Sequence, residues 1–485
     1  EIAQCLVGSE MCIRDSSISE RLRAYGKVES LISAGGILVL GALFINWLFS
    51  GSAGLAGTLA ALISLVLFIW LCLRFVPVWV AAWRGRELPA APDASEAEQP
   101  HIRLRLFLSL LLFCIGMTLL VWLIRLAQGS GESYYESLNY WTYTDSHHYL
   151  DIARDGYISA ADVPGLIERG VFADEDAAWD RLVQLVFLPG YPVAVGLMYL
   201  LVRDYLLAAF LVSALCFSGA GCLLYSLFRL DYGHAAAIRA VRFLCVLPGS
   251  FFFAAPMSEG LFLLCCAGCV YLVRRGKFGL GCLVGAYGAF TRSLGLMLFV
   301  PAVFELVSAW LRVGKKRGFL PRFLWALLIP AGFGVYCYIN YRVAGDPFQY
   351  MRYQNEHWGQ DFGLFFNTAA YQLEDAIAYF QEGRTSVWGL WVPNLAWSFF
   401  ALAIMIPAAK KLRPGYTAWF IAYYFIAIGA TWLLSAPRYL IAMPVVTLAL
   451  SLVTDSPRRE FTAWALCLPL SLLYLMAFTL GLQVW

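Results

Sequence analysis

One long apolar run after another fills this chain, and that succession limits its fold more than any other feature. The runs lie at about Leu31–Phe49, Leu55–Trp83, Leu104–Leu126, Phe187–Val202, Leu206–Phe228, Ala236–Ala255, Gly260–Val273, Phe278–Thr291, Leu294–Trp310, Phe323–Tyr341, Val387–Ala409, Ala418–Leu434, Tyr439–Val453 and Ala463–Val484. About 20 such residues cross a bilayer as a helix, and the backbone there must satisfy its own hydrogen bonds. Of 485 residues, 61% are hydrophobic and 14% charged, whereas a soluble domain carries about 25% charged residues. The expectation is an all-α polytopic membrane protein of about 11–14 transmembrane helices. A net charge of +3 leaves no basic footprint, which excludes nucleic acid as a partner.

The thirteen cysteines form no redox framework. Cys114, Cys216, Cys222, Cys245, Cys265, Cys266, Cys269, Cys282, Cys337 and Cys467 lie inside apolar runs, where a thiol acts as a small hydrophobe. The long polar loops hold none, so neither a structural disulfide nor a zinc site is expected. No cleavable signal sequence is visible. The absence of any Asn-x-Ser/Thr acceptor favours a bacterial source. Residues 1–16 match nothing that follows and read as a non-native segment. Residues 17–103 comprise two N-terminal spans and a polar linker, Arg84 to Pro100. Residues 104–485 form the main membrane domain, with polar insertions at 128–185 and 344–385.

Charge sets the orientation, because short cytoplasmic loops carry the excess Lys and Arg. Arg274, Arg275 and Lys277 mark one such turn, Arg312, Lys315, Lys316, Arg317 and Arg322 a second. Lys410, Lys411 and Arg413 mark a third, Arg458 and Arg459 a fourth. The 128–185 insertion carries eleven acids against three Arg, and the 344–385 insertion six against two. Both are therefore expected outside, with interfacial helices. Parity fails if every run crosses. Either Phe187–Val202 dips in and returns, or a run flanking Pro248–Glu259 does not span. Broken helices of that kind occur where they line a cavity.

The first insertion contains Tyr143-Thr144-Asp145-Ser146-His147-His148-Tyr149-Leu150-Asp151-Ile152-Ala153-Arg154-Asp155-Gly156-Tyr157. On a helix, Asp145 and Tyr149 share a face, as do His147 and Asp151. A plainer alternative is that Asp145 or Ser146 caps an interfacial helix whose aromatics sit at headgroup level. A metal site from His147, His148 and Asp151 is the less favoured option. Further along come Phe187-Leu188-Pro189-Gly190-Tyr191-Pro192 and Leu247-Pro248-Gly249-Ser250-Phe251-Phe252-Phe253. Ser258-Glu259-Gly260, Thr291-Arg292-Ser293-Leu294-Gly295 and Pro437-Arg438-Tyr439 follow.

In this order the segments resemble the PIG-V family, GPI mannosyltransferase II and its bacterial relatives, within the GT-C glycosyltransferases. Asp145, Ser146, Tyr149, Ile152, Ala153, Gly156 and Tyr157 match the first family motif. Pro189, Pro192, Pro248, Phe252, Ser258, Glu259, Arg292, Gly295, Pro437, Arg438 and Tyr439 match the later ones. The likeness spans about residues 104–450. Thr144 stands where the family commonly has Trp, and the doubled His147-His148 is not part of the pattern.

The resemblance implies a GT-C-like bundle and an inverting transfer, most simply of mannose, from a polyprenyl- or dolichyl-phosphate carrier to an acceptor hydroxyl. The acceptor would be a glycan or glycolipid, and membrane lipids surround the protein. The setting would be the extracytoplasmic side of a bacterial inner membrane, or the endoplasmic reticulum in a eukaryote. A phosphate leaves without a general acid, so one carboxylate base suffices, unlike the pair a glycosidase needs. Asp145 is the expected catalytic base. Arg292 and Arg438 interrupt apolar runs, where an unpaired charge is costly, and are expected on the donor phosphate, though each could instead snorkel to headgroups. Tyr149, His148, Asp151, Glu259 and Tyr439 complete the expected substrate-binding set, with an ion pair equally open to Glu259. No cofactor or divalent metal is expected.

Asp346-Pro347-Phe348, His357-Trp358 and Tyr371-Gln372-Leu373 in the second insertion suit sugar or headgroup contact, or an amphipathic helix on the membrane. A transporter or flippase of a lipid-linked sugar is the alternative from another class. It predicts ionisable residues along a two-sided path, and no half-length repeat of the kind common in transporters is visible. A GT-C enzyme for a different sugar is the third reading.

Overall fold

The computed structural model describes residues 26–51, 53–84, 100–313 and 319–485. Residues 1–16, most of the 84–100 linker and the lysines of the 312–317 turn lie outside the described residues. Within them all regular structure is helical, apart from one isolated bridge between Phe362 and Ala430. In chain order the helices used below are α1 (Lys27–Phe49), α2 (Leu55–Trp83), α3 (Ile102–Ala127), α4 (Ser146–Asp155), α5 (Gly190–Val202), α6 (Tyr205–Phe228), α7 (His234–Phe243), α8 (Glu259–Arg274) and α9 (Phe278–Thr291). Then come α10 (Phe299–Val313), α11 (Leu328–Ala344), α12 (Gln349–Trp358), α13 (Phe365–Gln381), α14 (Val392–Ala408), α15 (Pro414–Ala427), α16 (Ala436–Ile441), α17 (Pro444–Val453) and α18 (Pro457–Thr479).

Among the described residues, eight helical segments are long and apolar enough to cross a membrane, which makes this an integral membrane protein. They are α1, α2, α3, α6, Ser293–Leu311, Phe319–Ala344, Val387–Ala408 and α18. A ninth arises if Glu175–Val186 and α5, bent by 100° at their junction, count as one. Against the eleven to fourteen spans expected, several apolar runs fold as shorter helices, among them Phe278–Thr291 and Pro444–Val453. The 236–255 run breaks after ten helical residues of α7. Gly249 (φ 94) then turns the chain into a 3-10 turn, Ser250–Phe253. The chain thus breaks at both places where the charge pattern makes a crossing doubtful, the bend before α5 and the turn before α8.

The bundle is inverted relative to a soluble protein. Leu38, Leu55 and Leu201 are 72%, 80% and 79% exposed, a surface suited to lipid rather than water. At the centre, α8 is buried on nearly every side, from Glu259 through Val273, as expected of an interior helix. It packs on α6 and α9, and α9 packs on α11. The N-terminal spans join the main domain through α2, which lies along α13. Trp47 Nε1 donates to Asn367 Oδ1 at 2.8 Å, and the Gly54 N–H to Glu374 Oε1 at 2.6 Å. The second insertion therefore packs against protein through Phe365, Phe366, Ala369, Ala370 and Gln372.

At its C-terminal end α8 enters a charge network. Arg274 donates to both Asp231 oxygens, at 2.7 and 2.8 Å, and Arg413 to both Glu305 oxygens at 2.8 Å. Two of the basic turns thus meet at one end of the bundle. Glu259 opens the same helix, about 22 Å away at 1.5 Å per residue.

Candidate functional site

Four segments far apart in sequence converge at the other end of α8. Asp145 precedes α4, whose apolar residues Tyr149 and Ile152 are buried. Tyr149 lies edge-on to Phe187 and Tyr191, with ring centres 5.4 and 5.3 Å away. The helix stops at Gly156 (φ 74), whose N–H bonds the Ile152 carbonyl, a conformation that favours glycine. Ser258 and Glu259 begin α8. Arg292 is extended (φ −147, ψ 141) between α9 and the 3-10 turn Ser293–Leu298. Gly295 in that turn lies so close to the Gly288 and Ala289 backbone that no Cβ fits. Arg438 sits in α16, behind Pro437 at its first turn.

The charged groups form one chain of contacts. Arg438 Nη1 lies 2.6 Å from Asp145 Oδ2. Its Nε and Nη2 both lie 2.7 Å from Glu259 Oε1. Arg292 Nη1 reaches the same Glu259 oxygen at 2.7 Å and Ser258 Oγ at 3.1 Å. Ser258 Oγ also meets the Tyr149 hydroxyl at 3.1 Å. The guanidinium carbons lie over aromatic faces, Arg292 at 5.1 Å from the Tyr439 ring centre and Arg438 at 5.3 Å from that of Phe252, favourable placements for a cation. Glu259 is fully buried. Two guanidiniums balance two carboxylates, as burial of charge demands.

Above this chain lies a cavity of about 770 Å³, within the range of small-molecule sites. Asp145, His148, Tyr149, Arg292, Arg438 and Tyr439 line it together. Its walls include the apolar Leu294, Phe362, Ile426 and Ala427, and the aromatic Tyr379, Trp391, Trp432 and Trp485. Trp391 packs edge-on to Trp432 at 5.3 Å, and Tyr371 stacks on Trp432 at 5.9 Å.

Burial acts to raise the Asp145 carboxyl, but the Arg438 charge and hydrogen bond outweigh it and hold the group below the usual carboxylate range. Asp145 is therefore ionised near neutral pH. Burial, then the neighbouring His147, pushes His148 down to about 4, so that imidazole is neutral. Gln184 Nε2, which can only donate, bonds His148 Nδ1 at 3.3 Å and places the His148 proton on Nε2. His147 Nδ1 donates to the Thr144 carbonyl at 2.6 Å, and the residue lines the cavity. A carboxylate that can take a proton thus stands beside two guanidiniums that can hold an anion.

Two of the expected binding residues stand apart from the cavity. Glu259 lies behind it, clamping both arginines. Asp151 turns to Arg154 (2.9 Å), Arg181 (3.3 Å) and Gln184 (3.2 Å). His357 and Trp358 of the second insertion do line it. Sequence reasoning missed His147, Asp180, Asp361 and the tryptophan wall as cavity residues. For His147 the signal was present, since it neighbours His148 on the same short helix. Among the described residues no group of three His, Cys, Asp or Glu could hold a metal ion, and the eleven described cysteines are free. No protein-family model matches the chain, and no curated protein matches it significantly.

Proposed function

We propose that this protein is an inverting glycosyltransferase of the PIG-V-like GT-C type. It would move a hexose, mannose by the resemblance, from a polyprenyl-phosphate carrier to the hydroxyl of a glycan or glycolipid on the extracytoplasmic side. The observation that carries this reading is the meeting of Asp145, Arg292 and Arg438 on one cavity, at the end of α8 away from the basic turns.

The chemistry follows from the positions. Asp145 accepts the proton of the acceptor hydroxyl as its oxygen attacks the anomeric carbon. The bond from that carbon to the phosphate oxygen breaks, and the carrier leaves as a phosphate monoester carrying the second negative charge. Arg292 and Arg438 face the charge that develops there. The apolar wall at Leu294, Ile426 and Ala427 suits a prenyl chain, and the tryptophan wall suits the face of a sugar. No step requires a metal ion. The charged chain gathers at one end of α8, which supports a one-sided site over the two-sided path of a flippase.

The test is direct. The full-length chain in lipid nanodiscs, given a polyprenyl-phosphate mannose labelled in the sugar and a mixture of glycolipid acceptors, should yield labelled glycolipid and free polyprenyl phosphate. Failure with mannosyl, glucosyl and galactosyl donors alike, in a preparation that binds the carrier lipid, would defeat the proposal. Movement of the intact donor across a bilayer without hydrolysis or transfer would favour the flippase.

A further inference from the structure

Every nitrogen of Arg438 is engaged: Nε and Nη2 on Glu259, and Nη1 on Asp145. The two carboxylates that hold it differ in freedom. Glu259 is fully buried and shared with Arg292, so it cannot leave without stranding two guanidiniums. The Asp145 side chain is 29% exposed and borders the cavity. The hydrogen bonds that Arg292 makes among the described residues leave from Nη1 alone. An anion entering the cavity can therefore reach the guanidinium pair fully by one route, displacement of Asp145 from Arg438.

We infer that Arg292 and Arg438, held side by side by Glu259, form a phosphate site for the donor diester and the monoester it leaves, and that Asp145 plugs this site, so that phosphate must displace the carboxylate before it is free. This rests on the glycosyltransferase reading for its order of events: the lipid-linked donor enters first, takes over Arg438 Nη1, and releases Asp145 toward the acceptor hydroxyl. A carboxylate freed from a guanidinium is a stronger base, so the base is activated only once a donor is present.

The experiment is equilibrium binding of farnesyl phosphate to the full-length protein in nanodiscs, comparing wild type with Asp145→Asn and Asp180→Asn. Removing the plug should tighten binding about tenfold, a difference of about 1.4 kcal/mol. Asp180 also lines the cavity but makes no pair with Arg438, so its substitution should change binding less than twofold. The gain from Asp145→Asn should vanish in an Arg438→Gln background. Asp145→Ser, read the same way, serves if the Asn variant does not fold. Unchanged or weaker binding after removal of Asp145 overturns the inference, as does equal tightening by Asp180→Asn, which would mark a general charge effect. Inorganic phosphate in parallel separates the sources: tightening for both ligands means the phosphate alone is recognised, tightening for farnesyl phosphate only means the lipid is required, and either fits the plug. Tightened binding without sugar transfer would leave the plug standing and sink the transferase. Transfer without tightening would do the reverse.

Discussion

Arg438 and Asp145 are 293 positions apart in sequence, yet Nη1 and Oδ2 lie 2.6 Å from each other. Their contact joins the loop before α4 to the short helix α16, and closes the polar end of the bundle around one cavity. Most of what the molecule is expected to do follows from that closure.

If Asp145 is the base, Asp145→Asn removes proton acceptance while keeping shape and one hydrogen bond to Arg438. Sugar transfer should fall by a factor on the order of 10²–10⁴. Labelled-sugar transfer at saturating donor measures it, with size-exclusion behaviour as the folding check. Activity within threefold of wild type would remove Asp145 from the mechanism.

Glu259 acts behind the cavity, so its loss should be felt as misplaced arginines. Glu259→Gln leaves two buried guanidiniums short of a counter-charge, which costs about 3–5 kcal/mol where a buried pair is broken. The expected result is a lower thermal midpoint together with a rise in donor KM, and Glu259→Asp should recover part of both. A variant with normal stability and normal donor KM would show that the clamp is dispensable.

Gly295 has no room for a Cβ against the Gly288 and Ala289 backbone. Gly295→Ala should push the turn that follows Arg292 outward and weaken carrier-phosphate binding several-fold, with a stability loss of about 1–3 kcal/mol. Farnesyl phosphate titration and thermal unfolding in nanodiscs measure the two effects together.

His148 supplies a pH dependence. Its folded value is about 4, against about 6.5 for an unperturbed imidazole. Between those values the unfolded chain holds more protons than the folded one, so stability rises with pH. The loss on acidification from pH 7 toward 4 should be at most about 3 kcal/mol, less for solvent screening. His148→Gln should flatten the slope of thermal midpoint against pH in that range. Asp145 acts in the same direction but lower: its lowered carboxyl stabilises the fold above the unfolded carboxylate range, and that contribution is lost only as pH falls through the folded value.

What was legible in the sequence was local. The apolar runs marked an all-helical membrane protein. The prolines and glycine at 248–256 marked a broken segment, and Arg292 marked the interruption of an apolar run. Each depends on a few adjacent residues, and the structure has all three. Helix lengths were not legible, because hydropathy registers apolar composition but not the 3-10 breaks that shorten α7 and its neighbours. For Glu259 the sequence left substrate contact and an ion pair equally open, because polar residues near a break look alike, and packing shows that it faces two arginines. Asp151 lies one helical turn beyond His147, yet Arg181, thirty residues away, takes its carboxylate. Trp391, Trp432 and Trp485 come from three separate segments, and no spacing rule connects them.

The charges at both ends of α8 have a mechanical consequence. Tilting this central strut would have to pull Glu259 from two guanidiniums or Arg274 from Asp231, and each rupture costs several kcal/mol. A rocking cycle would meet that resistance at every turn. One helix thus braces the polar end of the bundle against the basic end, so that a displacement at either is resisted at the other.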